Sequence, residues 1–202
     1  MTVIDLSKLT PLGKGTNRVC FIHPKDQKKC IKVTHSNDHS EAIKEIKYYD
    51  FLKKRKISWQ FLAKYYGSVD TSLGKGEVFD LVRDYDGTVS KTLSFYLQED
   101  KKTKSLIEPI KLLNELKEYT LKENIVVKDL NTKNMLYQKI NDNEAQLILI
   151  DGVVNNDFLP FSKYIPFLTQ KKIKRLWKRF EESLPNKYFF NNYFLSLLNE
   201  KI

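Results

Sequence analysis

The chain has only two cysteines, seven glycines and six prolines among its 202 residues. Two thiols, Cys20 and Cys30, cannot build the disulfide framework of a small secreted scaffold, so a reducing compartment is the simplest reading. Both read as small buried apolar residues. Glycine and proline are too sparse to form a linker, and no internal repeat or low-complexity segment stands out. No apolar run approaches the roughly 20 residues that a membrane helix needs. The start, Met1-Thr2-Val3-Ile4-Asp5-Leu6, has no basic region leading into an apolar one. Neither a transmembrane segment nor a secretory leader is expected, and a cytoplasmic location is. His23, His35 and His39 stand at no metal-ligand spacing with either cysteine, so no His/Cys metal centre is expected. Acid is also in short supply, with 25 Asp+Glu against 35 Lys+Arg and a formal net charge of +10.

Apolar residues at 41% and charged residues at 30% are ordinary globular composition. A chain of this length can bury a real core, as one domain or one domain of two small lobes. The positive charge attracts nucleic acid, an anionic membrane face, a nucleotide or a phosphorylated glycan. It is partly clustered: residues 163–180 carry seven basic side chains and no acidic one.

Patterning predicts three hairpins. Residues 18–23 and 30–34 flank the turn Pro24-Lys25-Asp26-Gln27, and residues 62–71 and 77–83 flank Leu73-Gly74-Lys75-Gly76. Met135-Leu136-Tyr137 and residues 146–150 bracket Asn141-Asp142-Asn143. Asp38-His39-Ser40-Glu41 reads as a capping box before a helix with Ala42, Ile46, Tyr49 and Leu52 on its apolar stripe. Asp84-Tyr85-Asp86-Gly87 breaks the strand pattern and marks a boundary. Beyond it, Leu106, Ile110, Leu113, Leu116 and Thr120 predict a long amphipathic helix with Pro109 in its first turn. Ile125-Val126-Val127 reads as a short strand. A last helix places Ile173, Leu176, Trp177, Phe180 and Leu184 on one face and Lys172, Lys174, Arg175, Lys178 and Arg179 on the rest.

Five places carry candidate chemistry. Gly13-Lys14-Gly15 lets a backbone turn tightly and aim amides at a phosphate; the same Gly-Lys-Gly at 74–76 is accounted for by a hairpin turn. Lys32, between Ile31 and Val33, points opposite to them and can reach a phosphate beside that loop. Glu45 lies beside the helical stripe and can hold the lysine, with Glu41 one turn earlier as competitor. Asp129 and Asn134 sit in a polar loop between apolar segments, offering one base and one hard oxygen ligand. Asp151-Gly152 ends the apolar run 146–150, a place suited to a Mg²⁺ ligand.

In this order the five features resemble the protein-kinase signature set, with Asp129-Leu130…Asn134 matching the catalytic loop and Asp151-Gly152 the Mg²⁺-binding triplet. More closely, the chain is similar to the small bacterial YrbL family, the PhoP-regulatory-network proteins with a kinase-like fold. That resemblance rests on Leu12-Gly13-Lys14-Gly15, Cys30-Ile31-Lys32-Val33, Glu45-Ile46-Lys47-Tyr48-Tyr49, Arg83-Asp84-Tyr85-Asp86-Gly87 and Leu149-Ile150-Asp151-Gly152. It implies an α+β, two-lobed, protein-kinase-like fold in a single domain, 1–202. A strand-rich N-lobe would cover 1–84 and a shortened helical C-lobe 85–202.

The resemblance also implies roles. Gly13, Lys14 and Gly15 would cover the phosphates of ATP, and residues 80–83, Asp80 and Val82 among them, would form the hinge against which adenine packs. Lys32 would pair with the α/β-phosphates, held by Glu45. Asp129 would orient and deprotonate an acceptor hydroxyl, while Asn134 and Asp151 would hold Mg²⁺. The chain departs from the pattern at several points. Arg18 replaces the third glycine, Val127-Lys128 the His-Arg pair, and Asn131 the catalytic-loop lysine. The triplet lacks its Phe, and no Ala-Pro-Glu follows. The stretch after Asp151 is too short for an activation segment and a full C-lobe, so a peptide-docking surface of the usual kind is not expected.

The expected function is therefore an ATP- and Mg²⁺-dependent phosphotransferase acting on an unidentified hydroxyl, of a protein or of a phosphorylated glycan or small molecule. The alternatives are a lipopolysaccharide-core or sugar kinase and a pseudokinase-type regulator that binds a protein partner. The basic helix suits an anionic acceptor or surface. Nucleic acid is not expected there, because the cations are spaced as the solvated face of an amphipathic helix.

Overall fold

The computed structural model describes residues 3–36, 38–155 and 166–200. Strands β1 (Gly13–Lys14), β2 (Arg18–Ile22), β3 (Lys29–Thr34), β4 (Tyr65–Thr71) and β5 (Gly74–Asp80) form one antiparallel sheet in the order β1-β2-β3-β5-β4. Alternation along β3 sorts its two faces. Ile31 and Val33 join Leu6, Phe21 and Val78 in a small cluster on one side. Cys30 turns the other way with Phe79 and Tyr65 into the main core, against which Cys20 packs.

Helix α1 (Ser40–Lys54) lies on that main-core face. Tyr48, Tyr49 and Leu52 are buried, and the Tyr49 ring meets Phe79 edge-on at 5.3 Å. The buried face is rotated from the expected stripe: Ala42 and Ile46 are half-exposed, and Glu45 is buried in the face itself. The expected capping box does not form. The Asp38 carboxylate accepts from the Ser40 amide at 2.8 Å, a tight local turn that keeps it from the third helical amide, and His39 makes no side-chain cap.

The second hairpin turns earlier than expected. Gly74, at φ +102°, closes the turn, but Gly76 lies inside β5, where a Cβ would collide with the Ile31 side chain of β3. That Gly-Lys-Gly is thus half turn and half close-packed strand.

The remainder is mainly helical around a second antiparallel sheet. Strands β6 (Lys91–Thr92), β7 (Met135–Lys139) and β8 (Ala145–Leu149) pair in chain order. Of the helices α2 (Leu93–Tyr96), α3 (Asp100–Thr103), α4 (Pro109–Lys122), α5 (Pro166–Lys187) and α6 (Asn192–Asn199), α2 and α4 lie against this sheet, α5 packs on α4 and α6 on α3. The short helices α2 and α3 and the terminal α6 escaped the pattern reading. Pro109 opens α4, where its missing amide costs nothing. Residues 125–127 are buried but pair with no strand among the described residues, where a short strand is expected. Residues 61–63 join the two sheets: the Ala63 amide donates to Leu149 and the Leu149 amide to Phe61, both at 2.9 Å. At the Asp84–Gly87 break, the chain is held to the end of β7 by the Lys139 amide on Asp84 Oδ1 at 3.1 Å.

The architecture is α+β, rich in sheet to about residue 80 and in helix beyond it. No described helix is long and apolar enough to cross a membrane. Ile173, Trp177, Phe180 and Leu184 bury one face of α5 in the main core, as their spacing predicts, with Leu176 at its margin. Trp177 Nε1 donates to Thr120 Oγ1 of α4 at 2.8 Å. Replacing Trp177 with Ala should cost about 3–5 kcal/mol, because it opens a cavity and strips Thr120 of its donor. Denaturant titration of Trp177→Ala and Trp177→Phe checks this, the phenylalanine variant losing clearly less.

Candidate functional site

The site begins with a lysine that the strand period turns inward. Lys32 is buried on the main-core face of β3, its ammonium 4.4 Å above the Phe79 ring. It donates to the carbonyl oxygen of Ile150, the residue between β8 and Asp151. The strand lysine and the carboxylate at the strand end, 119 positions apart in sequence, are therefore neighbours in space.

Glu45 reaches the same place from α1, but its partner is not Lys32. The Arg18 guanidinium at the start of β2 spans two carboxylates, donating to Glu45 Oε2 through one nitrogen and to Asp151 Oδ1 through another. Here Glu45 pairs with Arg18, where the resemblance implies a pairing with Lys32. Arg18 offers a rigid fork that matches two carboxylates at once, whereas the Lys32 ammonium is a compact point charge directed at the Ile150 carbonyl. Between the competing carboxylates the placement is plain: Glu45 is buried at the site, while Glu41 is exposed and 3.8 Å from Lys128. Glu45 Oε1 is buried with no hydrogen-bond partner among the described residues.

Electrostatics differ between the two carboxylates. Burial pushes Glu45 above its ordinary value, and Arg18 and Lys32 recover only part of that. Burial also pushes Asp151 up, but Lys32, Arg18 and the Gly152 amide outweigh it and hold Asp151 at about 2. Asp151 is thus an anion at any physiological pH.

The polar loop packs directly on this centre. Gly152 adopts φ +77°, and a Cβ there would stand 2.6 Å from the carbonyl oxygen of Asp129. Its own carbonyl accepts the Lys128 amide at 2.9 Å. The Asn134 carbonyl accepts the Ile150 amide at 3.0 Å, and Asn134 Nδ2 donates to Asp129 Oδ2 at 2.9 Å. Glycine is required at 152 by both its backbone angle and this close approach. Asp129 is exposed, with one carboxylate oxygen oriented by Asn134. Because the Asn134 amide nitrogen is occupied, its Oδ1 remains a hard acceptor. Asp151 and Asn134 are the oxygen donors that suit Mg²⁺, one carboxylate and one carbonyl.

The glycine loop is less committed. Gly13 and Lys14 pair with β2, and the Gly15 amide closes a four-residue turn onto the Arg18 carbonyl at 2.8 Å. That amide is consumed locally rather than left to meet a phosphate. Nothing stands within 4 Å of a Cβ at Gly13, and neither loop glycine has positive φ. At the proposed hinge, Asp80 spends its carboxylate on the Lys64 amide and the Tyr66 hydroxyl, both at 2.8 Å. Its backbone is engaged as well, the amide donating to the Lys64 carbonyl at 3.1 Å and the carbonyl taking the Cys30 thiol at 3.5 Å. Val82 is buried among Ala63 and Ile148, and its carbonyl accepts the Ser90 amide at 3.2 Å.

One residue near the loop escaped the motif reading. Lys187, at the end of α5, donates to Asn131 Oδ1 at 2.7 Å and lies 3.4 Å from Thr132 Oγ1. Burial and the neighbouring Lys133 pull its pKa down, and Asp129 opposes them. Its distance in sequence from any motif hid it. Farther up α5, Lys174, Arg175, Lys178 and Arg179 are exposed, whereas Lys172 donates to Asn155 at 2.7 Å.

A sequence model of the family described as PhoP regulatory network protein YrbL matches residues 4–185. The protein called YrbL in Escherichia coli K12, described as uncharacterized, is 33% identical over 181 residues, covering 88% of this chain and 86% of that protein. Its Shigella flexneri counterpart, with the same description, matches equally.

Two outcomes follow from the site. Gly152→Ala forces a side chain into the left-handed region and onto Asp129. At least about 1–2 kcal/mol is lost to the backbone alone, and the Asp129 loop is displaced, as chemical denaturation and amide exchange of residues 128–134 would register. Arg18→Ala should cost about 3 kcal/mol near pH 7, the low end for stripping a partner from a buried charge because Lys32 remains nearby. The sign with pH is set by both carboxylates. Asp151 has a depressed folded pKa, so its stabilisation is present above about pH 4 and fades as pH falls towards 2. Glu45, already raised, climbs further in the variant and is relieved by protonation. The deficit of Arg18→Ala therefore shrinks as pH falls from 7 to 3. A deficit independent of pH in paired denaturant titrations would contradict the bridge.

Proposed function

The chain belongs to the YrbL family of PhoP regulatory network proteins, and on that footing we propose that it is a phosphotransferase of two-lobed, protein-kinase-like fold that moves the γ-phosphoryl group of ATP to a hydroxyl acceptor. One observation carries the reading. Lys32, Glu45, Asp129, Asn134 and Asp151 are scattered over 120 residues, yet they are joined through Arg18, Ile150 and Gly152 into one connected group of contacts. A purely structural role gives no reason for these residue types to converge.

In this reading the residues divide the work. Lys32 leaves the Ile150 carbonyl for the α/β-phosphates, and the free Oε1 of Glu45 is the acceptor that steadies it there. Asp151 and Asn134 hold Mg²⁺, which supplies charge neutralisation on the phosphates. Asp129, oriented by Asn134, accepts the proton of the acceptor hydroxyl. The edge strand at Gly13, Lys14 and Gly15 covers the phosphates through groups other than the Gly15 amide, which the Arg18 carbonyl holds, and the segment from Asp80 to Val82 borders the adenine. Positioning and electrostatics of this kind suffice for phosphoryl transfer. The exposed cations of α5 suit an acceptor that carries phosphate, in a phosphorylated glycan or on an anionic surface.

A second reading has its own observation. Arg18 occupies both Glu45 and Asp151, as in a regulator that keeps the fold and binds a protein partner without turnover.

Calorimetry and radiolabelled-ATP turnover separate the two. Asp151→Asn should abolish turnover and weaken binding of ATP·Mg²⁺, whereas Asp129→Asn should abolish turnover and leave that affinity nearly intact, since only ligands contribute to ground-state binding. Absence of ATP binding by the native chain would defeat the proposal, and equal loss of affinity in both variants would defeat the assigned roles.

A further inference from the structure

Resting on the phosphotransfer reading, we propose that Lys187, at the last turn of α5, is a catalytic residue whose ammonium contacts the phosphoryl group in transfer. The loop that carries Asp129 has a neutral side chain, Asn131, where a protein kinase of the resembled pattern has a lysine. Asn131 cannot offset charge on a phosphoryl group. Its Oδ1 instead accepts from Lys187 Nζ at 2.7 Å, which delivers a cation from another element to that part of the loop. Thr132 Oγ1, at 3.4 Å, is a looser second contact, so the three-proton ammonium retains donor capacity.

The placement is rigid. Tyr188, the next residue, is buried and shares a 2.5 Å hydrogen bond with Thr132, and Leu184 one turn earlier is fully buried. Lys187 itself is half-buried and feels the charges of Lys133 and Asp129. By contrast, Lys174, Arg175, Lys178 and Arg179 on the same helix face solvent. Lys187 is the described α5 cation tied to the loop of the proposed base.

The chemistry needs such a donor. As the acceptor oxygen bonds to the γ-phosphorus, the bond to the β–γ bridging oxygen breaks and its electron pair leaves with ADP. The acceptor proton passes to Asp129. Charge on the non-bridging oxygens has to be met by fixed donors, and a held ammonium meets it without rearrangement.

The competing explanation is that Lys187 only fastens α5 to the loop. Three variants, Lys187→Met, Lys187→Arg and Asn131→Ala, distinguish the roles. Each is measured for ATP turnover with water as acceptor, and by calorimetry for ADP·Mg²⁺ with and without aluminium fluoride, which mimics the group in transfer. Lys187→Met should lower kcat about 100-fold with KM for ATP unchanged, and lose the affinity that aluminium fluoride adds. Lys187→Arg should restore part of both. Asn131→Ala, which removes the fastening and the cap on the Lys133 amide but keeps the cation, should lose clearly less kcat than Lys187→Met. Equal losses in Lys187→Met and Asn131→Ala, or an unaltered Lys187→Met, would overturn the role of Lys187 while native turnover still upheld the phosphotransfer reading. A native protein that neither binds ADP·Mg²⁺ nor turns over ATP would overturn both.

Discussion

A single guanidinium between two carboxylates organises this molecule. Arg18 belongs to the edge hairpin, Glu45 to the helix packed beneath the sheet, and Asp151 to the segment leaving the second sheet. Each would be costly to bury alone. Removing a partner from a buried ion pair costs about 3–5 kcal/mol, so the three constrain one another's position. The bridge fixes the strand-rich part of the chain against the end of β8, where the described hydrogen bonds of residues 61–63 do the same from the other side.

This constraint shapes the chemistry as well. Two cations, Arg18 and Lys32, face two anions, Glu45 and Asp151, so the centre is close to neutral without a ligand. Adding a nucleotide and a divalent cation in the proposed role would change its partners rather than simply fill a cavity. Asp151 would exchange a guanidinium for a metal, and Lys32 a backbone carbonyl for phosphate oxygens. Glu45 Oε1, buried without a partner among the described residues, gives that exchange somewhere to go. In that role Arg18, the residue that breaks the glycine-loop pattern, would have to release Asp151 before a metal could bind it.

Much of the fold was legible in local patterns. The hairpins at 18–34 and 135–149, the helix opened by Pro109 and the apolar stripe from Ile173 to Leu184 all follow from alternation or helical spacing. What failed was local chemistry with a close rival. Asp38 reads as a helix cap, but its carboxylate accepts from the Ser40 amide in a local turn. Gly76 reads as a turn residue but is small because Ile31 lies against it. Residues 125–127 have strand composition yet find no strand beside them among the described residues. The short α2 and α3 hold too few residues for a period to show.

The site divides along the same line. Sequence alone determined which residue types are present and in what order: a lysine facing inward on β3, a carboxylate on α1, an Asp and an Asn five residues apart, and an Asp-Gly after an apolar strand. Periodicity suffices for that, because the direction of a side chain on a strand or helix is a local property. Only the tertiary structure decided the partners. That Arg18 rather than Lys32 takes Glu45, that Gly152 sits against Asp129, and that Lys187 meets Asn131 from across the fold all depend on contacts between segments far apart in the chain. Hydrogen bonds and ion pairs form only at close range and in the right orientation, so which donor finds which acceptor depends on how the elements pack, and no spacing in the sequence encodes it.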